Sequence, residues 1–491
     1  MDGTSTAATI TQKAVHSVKW SALMEVVSRT AFPIITVILA RLLTPADFGV
    51  VATAMIAISF AQMFWDAGLS KALIQTKEKP EEAAHVVFWT NLVLGLVIYA
   101  LLFIGAPWVA VFFKSPSSGP VLRVLGLQIV IASLSSVQQA LFVRELDFRR
   151  LFWIKLSTAF VPGFFSIPLA FFGYGVWALV VGTLAGQTLN LVLLWYYSTW
   201  RPSLQYDLSI ARKMFGFGVW VLLESFGSWL IIWGDSVIVG RYLGIADLGV
   251  YRTGWLLVTV IFGLALNPFL PVLYPTFSRL QNNRTAMKQS FHKVNRIVAV
   301  LALPMGLGLL LVGRELASVL FGNKWQGLGF VISILGLKET IGWLVGINSE
   351  TYRAIGRPDV NTKLMFAQLL YYLPSYFIAA QSGLVIFVYV RLGVALVAMP
   401  IHIYLCNKML NVSPFYLWHD GRRSFLAVFV MSICIILVKR LIVMVTPGLP
   451  LLPALVLLVV VGVTTYIATL WLLDSSFVVQ NIKLIKRAAT T

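Results

Sequence analysis

The sequence predicts an all-α polytopic membrane protein with fourteen transmembrane helices: two pseudo-symmetric six-helix lobes in parallel repeat, plus two C-terminal helices. Three observations predict it: the apolar composition, the recurrence of apolar runs of membrane length, and a long internal repeat. Of 491 residues, 59% are hydrophobic and 12% charged, about half the charge of an ordinary soluble domain. That leaves too little polar surface to cover a water-soluble core. Disorder is excluded as well, because disordered chains are poor in apolar residues. The net charge of +19 would suggest nucleic acid in a soluble chain. Here the charges follow membrane topology, so no nucleic-acid partner is expected. Cys406 and Cys434 both fall in apolar runs, and no disulfide framework is implied.

The first nineteen residues are polar and lack the short apolar core and cleavage site of a signal peptide. The first span, 20–43, is therefore expected to remain as an uncleaved anchor. Apolar runs follow at 48–70, 84–105, 121–143, 156–172, 175–197 and 214–240, then at 248–272, 294–312, 328–350, 364–380, 383–405, 425–444 and 451–473. Only the short gap at 171–175 separates spans 5 and 6. Counting span-end residues with the adjoining loop, 26 of the 38 Lys and Arg fall in the termini and even-numbered loops and 9 in odd-numbered loops, while three (Arg29, Lys338, Arg391) lie deeper inside spans. By the positive-inside bias, this places both termini in the cytoplasm. The richest loop, 279–296, carries five basic residues and no acidic one. It reads as a topogenic loop resting on anionic headgroups rather than as a landing pad for substrate.

Sliding the chain on itself by 200 residues aligns LARLLTPADFGV (39–50) with VGRYLGIADLGV (239–250). Asp47, Gly49 and Val50 fall on Asp247, Gly249 and Val250. Further on, GAPWVAVFF (105–113) pairs with GRELASVLF (313–321), and VLGLQIVIASL (124–134) with ILGLKETIGWL (334–344). Six spans separate the copies, so both have the same orientation. The organisation predicted is an N-lobe of spans 1–6 (1–206), a C-lobe of spans 7–12 (207–410), and spans 13–14 with a cytoplasmic tail (411–491). This is the layout of an alternating-access transporter, with substrate held between lobes near the midplane.

Several chemistries are missing. The sequence has no GxxxxGK[ST] phosphate loop and no GxSxG elbow, and its five histidines lack metal-ligand spacing. No odd-numbered loop exceeds about 25 residues, too short for an outside catalytic domain. No enzymatic activity, metal or cofactor is expected.

The residues resemble the polysaccharide transporter branch of the multidrug/oligosaccharidyl-lipid/polysaccharide exporter superfamily, and within it the Wzx-type flippases of the WzxC-like group. The resemblance is carried by KWSA (19–22), LARLLTPADFGV, VRELDFRR (143–150), GDSVIVGRYLG (234–244), LNPFLPVLYPTFSRLQ (266–281) and FGNKW (321–325), and runs from about 13 to about 410. It implies transfer of undecaprenyl-diphosphate-linked oligosaccharide units from the cytoplasmic to the periplasmic leaflet of a bacterial inner membrane, for exopolysaccharide, capsule or O-antigen synthesis. The partners implied are that lipid-linked oligosaccharide, membrane lipids, and the polymerase and glycosyltransferases of the same pathway. It also implies that spans 1, 2, 7 and 8 line a central cavity. The rival readings are a drug exporter of the same superfamily, which predicts an acid-lined cavity without basic groups, and a membrane-bound polymerase or ligase, which the short outside loops oppose.

Ionisable groups at membrane depth are costly and mark candidate sites. Span 1 carries Glu25 and Arg29 at i,i+4. They are either a self-neutralised pair or an arginine aimed at the substrate diphosphate and held by Glu25. Span 7 carries Glu224 and Asp235, eleven residues apart and close to one helical face. An unpaired carboxylate there suits a coupling proton or sodium ion. Lipid flippases that this chain resembles hold sodium with such a carboxylate and partners from spans 11 and 12; here those spans offer Gln368 and Arg391. Asp235 paired with Arg391 or Arg252 in a structural salt bridge is the competing reading. Span 10 carries adjacent Lys338 and Glu339, whose side chains leave the helix in different directions and are not expected to pair. Glu350 and Arg353 are expected to pair at i,i+3. The candidate substrate-contacting set is Glu25, Arg29, Glu224, Arg252, Lys338 and Arg391, and Asp235 is the candidate ion-coupling residue. Pro33, Pro268 and Pro271 are expected to bend spans 1 and 8, and Gly182-x-x-x-Gly186 and Gly342-x-x-x-Gly346 to mark close helix contacts.

Overall fold

A computed structural model describes residues 31, 33–65, 69–76, 79–208, 218–446 and 448–490. Among the described residues, helix is the only regular element. The chain forms two compact units, Met1–Arg252 and Thr253–Thr491. The first contains α1 (Pro33–Leu42), α2 (Pro45–Trp65), α3 (Leu69–Gln75), α4 (Pro80–Phe112), α5 (Ser118–Leu125), α6 (Leu127–Arg144), α7 (Phe148–Ala159), α8 (Val161–Phe171), α9 (Val176–Tyr197) and α10 (Gly218–Tyr242). The first turns of α11 (Ile245–Leu266) also belong to it. The second unit carries the rest of α11, a 3-10 turn at Asn267–Phe269, α12 (Leu270–Arg279), α13 (Arg284–Phe321), α14 (Leu328–Ala354), α15 (Asp359–Ala380), α16 (Leu384–Leu410), α17 (Tyr416–Val445) and α18 (Leu451–Thr490).

Eleven described helical segments are long and apolar enough to cross a membrane, and Pro33–Leu42 is a shorter apolar helix. Further helices, α10 and α15, stand where spans 7 and 11 are expected. The apolar side chains of these helices are often not buried in protein: on α4, Leu101 is 65% exposed and Trp108 71%. Water would penalise such a surface and hydrocarbon does not.

Lipid supplies no hydrophobic drive between helices, so close packing and polar caps must hold them together. On α2, Thr44 and Asp47 form a reciprocal cap. The Thr44 hydroxyl and backbone N–H donate to Asp47 Oδ2 at 2.6 and 2.9 Å, and the Asp47 N–H donates to Thr44 Oγ1 at 3.3 Å. Below this cap, Val50, Ala54 and Ile58 of α2 pack with Leu122 and Leu125 of α5 and Ile129 of α6. The gap between spans 5 and 6 is a real break: Gly173 and Gly175 take positive φ (83° and 54°) between α8 and α9. Gly182 and Gly186 then let α9 close on α8, because added methyls would strike Pro162 and, at Gly182, Ser166.

The second unit departs from expectation at two places. Nothing among the described residues lies within 4 Å of a methyl built on Gly342 or Gly346. The close crossing lies elsewhere: Gly306 and Gly313 of α13 meet Gly336 and Gly329 of α14. These glycines are seven residues apart, two helical turns, so they share a face as well as a four-residue spacing does. The basic stretch 279–296 is also mostly helix, because the Asn283 side chain accepts from the Ala286 N–H at 3.0 Å and starts α13 at Arg284. Pro268 lies in the 3-10 turn that interrupts span 8, as expected. At the other end, α18 kinks at Asp474 (φ −157°, ψ 51°). The buried Asp474 carboxylate pairs with Arg296 of α13 and, at 2.5 Å, with Arg423 of α17.

Candidate substrate and ion site on helices α10 and α11

Helices α10 and α11 form a hairpin through the turn at Gly244, which takes φ +98°. Antiparallel helices joined by so short a turn bring residues at similar distances from it into register. Asp235 thereby faces Tyr251, and Ser236 faces Arg252. Asp235 is 3% exposed, and a buried carboxylate is tolerable only when its oxygens are satisfied. Its Oδ1 accepts from the Ser236 N–H at 2.5 Å and from the Ser236 hydroxyl at 2.9 Å, and its Oδ2 accepts from the Tyr251 hydroxyl at 2.7 Å. Arg252 Nη1 donates to Ser236 Oγ at 3.4 Å, so one hydroxyl bridges guanidinium and carboxylate. The guanidinium also lies over the Trp233 ring, 4.0 Å from its centroid, a stacking that sets its plane. Nearer the other end of α10, the Trp229 indole N–H donates to Ser59 Oγ of α2 at 3.0 Å.

The internal repeat makes this cluster more pointed. At the 200-residue offset, Trp233, Asp235, Tyr251 and Arg252 correspond to Pro33, Ile35, Val51 and Ala52. The first copy is apolar where the second carries acid, phenol and guanidinium, so the fold repeats and the chemistry does not. A buried carboxylate held by hydroxyls beside a pre-oriented arginine can take up a small cation or proton at one end. At the other it can present planar donors to a phosphate.

The other candidates are placed as follows. Glu224 is exposed on α10, so a shared helical face does not give it the environment of Asp235. Arg391 is buried on α16, 6% exposed. Lys338 corrects an expectation: its Nζ pairs with Glu339 at 3.1 Å, because a long, flexible stem reaches around the helix although the Cβ atoms diverge. Glu350 and Arg353 pair at 3.1 Å as expected. Glu25 and Arg29 lie outside the described residues. Sequence reasoning missed Tyr251, Ser236 and Trp233 as the groups that hold Asp235 and Arg252. Sixteen-residue spacing across the Gly244 turn was the available signal. Among the described residues, no cluster of His, Cys, Asp or Glu is arranged to hold a metal.

Known proteins agree with this architecture. The chain is 29% identical over 340 residues to the succinoglycan biosynthesis transport protein ExoT of Rhizobium meliloti, covering 68% of each chain. It is 24% identical over 378 residues to the lipopolysaccharide biosynthesis protein WzxC of Escherichia coli, covering 76% of each. Its fold is similar to that of the lipid II flippase MurJ in an inward closed conformation, with a TM-score of 0.73 at 12% identity, over 94% of this chain and 100% of that one. The profile of the polysaccharide biosynthesis protein family matches residues 38–328, more than half of the chain. The chain therefore belongs to the polysaccharide biosynthesis protein family.

Proposed function

We propose that this chain is a flippase. It carries an undecaprenyl-diphosphate-linked oligosaccharide from the cytoplasmic to the periplasmic leaflet of a bacterial inner membrane by alternating access, making and breaking no covalent bond. Both termini lie in the cytoplasm, and the two six-span repeats act as the rocking lobes. Glycosyltransferases of the same pathway supply the lipid-linked unit and a polymerase consumes it. The observation that carries this reading is the buried Asp235 carboxylate linked to Arg252 through Ser236, in a chain whose relatives are named for polysaccharide transport and biosynthesis.

In this reading Arg252 contacts the diphosphate, in company with Arg29 and Arg391, and Asp235 takes the coupling proton or sodium ion. Glu25, Glu224 and Lys338 contribute to the polar lining that the sugars meet. A planar guanidinium fits phosphate oxygens in pairs, which an ammonium does not. Deleting the gene should make lipid-linked repeat units accumulate facing the cytoplasm and remove the surface polysaccharide. Wild-type protein should restore it and Arg252→Gln, present at normal level, should not. Unchanged polysaccharide in the deletion strain would refute the assignment.

A further inference from the structure

Helix α4 ends in a turn whose geometry singles out one lysine. The Ser115 N–H donates to Ala110 O at 2.8 Å and the Lys114 N–H to Val111 O at 3.1 Å, the paired bonds that close a helix through one left-handed residue. That residue is Lys114, with φ +53°. Glycine is the usual occupant, because a Cβ is crowded there. The internal repeat supplies the comparison: at the 208-residue offset Lys114 corresponds to Gly322, which ends α13 with φ +78°. With ψ −176°, Gly322 ends its helix in a different conformation, so the left-handed turn belongs to the first copy, which keeps a cation there at a conformational cost.

The lysine borders a groove of about 450 Å³ between α4 and α5 whose lining includes Pro107, Val111, Pro120 and Arg123. Arg123 donates its Nε to Phe103 O at 3.2 Å and stacks over the Phe103 ring at 4.9 Å. Its guanidinium lines the groove. The adjoining face of α4 is apolar and open, with Ile104 63% and Val111 76% exposed. A site with two cations at its rim and an apolar wall below matches a charged headgroup above acyl chains.

We propose that Lys114 and Arg123 bind the phosphate of an anionic glycerophospholipid, whose acyl chains lie along α4. The groove adjoins the exposed apolar face of α4, and cations beside a wall that suits acyl chains select a membrane phospholipid as the occupant. The test uses the purified full-length chain in mixed-lipid nanodiscs, with retained phosphatidylglycerol and phosphatidylcholine counted by native mass spectrometry. At about 1 kcal/mol per cation near a charged headgroup, Lys114→Gly and Arg123→Gln should each lower phosphatidylglycerol retention about five-fold. Phosphatidylcholine should hardly change. Lys114→Gly should also melt no lower than wild type, because glycine fits the left-handed turn. Unchanged phosphatidylglycerol retention in both variants would overturn the proposal, as would equal loss of both lipids. Undecaprenyl phosphate displacing phosphatidylglycerol from the wild-type groove would overturn the phospholipid assignment. None of these readings depends on transport, so they stand apart from the flippase assignment.

Discussion

Gly49 of α2 and Gly249 of α11, equivalent positions in the two repeats, meet each other across the seam between the copies. A methyl built on Gly49 would strike the carbonyl of Ile245, and one on Gly249 would strike the carbonyl of Pro45. The contact is reciprocal, as a pseudo-two-fold relation requires. It gives the strongest repeat motif, ADFGV against ADLGV, a packing reason. Each glycine admits the first turn of the other copy's helix.

This crossing predicts opposite outcomes for the same substitution at different glycines. Gly49→Ala should destabilise the protein by about 1–3 kcal/mol, because the atom it meets is backbone and cannot rotate away. Gly308→Ala, inside α13 with nothing among the described residues within 4 Å of the added methyl, should leave stability unchanged or raise it by up to ~1 kcal/mol. Thermal melting in detergent separates them, and equal shifts at both positions would contradict the seam.

Tyr251→Phe should cost about 2 kcal/mol, the scale for losing a hydrogen bond to a buried charged group. The loss should shrink in an Asp235→Asn background, since the two side chains act as one unit. A double-mutant cycle on melting temperature measures it. Full additivity would mean that the 2.7 Å contact carries no coupling.

At the turn before α15, Arg357 and Lys363 both donate to Asp359, at 2.9 and 3.0 Å, and hold its exposed carboxyl well below the usual range. A carboxyl whose native value is depressed contributes stability above its unfolded value near 4. That contribution is lost as pH falls through the lower native value. The melting difference between wild type and Asp359→Asn should therefore be flat from pH 8 to 5, shrink below about pH 4, and shrink with added salt at pH 7. A difference that grows on acidification would contradict the sign.

Reporter fusions at Gln281 and Thr491 should both behave as cytoplasmic. Alkaline phosphatase activity at either would break the agreement between loop charge and span number.

Much of the fold was legible in the sequence because lipid imposes so coarse a rule on it. Among the described residues, apolar runs of membrane length placed helices at expected spans, the short gap at 171–175 marked the α8–α9 break, and Pro268 marked the interruption after α11. What escaped depended on relations no local window contains. The Asp235–Tyr251 bond needs the hairpin at Gly244, and the α13–α14 crossing uses glycines seven apart rather than four. The Lys338–Glu339 pair turned on side-chain length, which Cβ direction alone does not describe. Asp235 and Arg252 themselves were visible as charges out of place. Their bridge through Ser236 was not.

The central claim is that Asp235 and Arg252 serve the transfer of a lipid-linked oligosaccharide, and proteoliposomes test it most directly. Purified chain is reconstituted with undecaprenyl-diphosphate-linked oligosaccharide, and the fraction reaching the opposite leaflet is followed with and without proton and sodium gradients. Wild-type protein should move the lipid faster than empty liposomes and respond to one gradient. Asp235→Asn should insert normally and lose that response, while Arg252→Gln should lose transfer itself. Transfer by both variants at the wild-type rate, with the gradient response intact, would contradict the account.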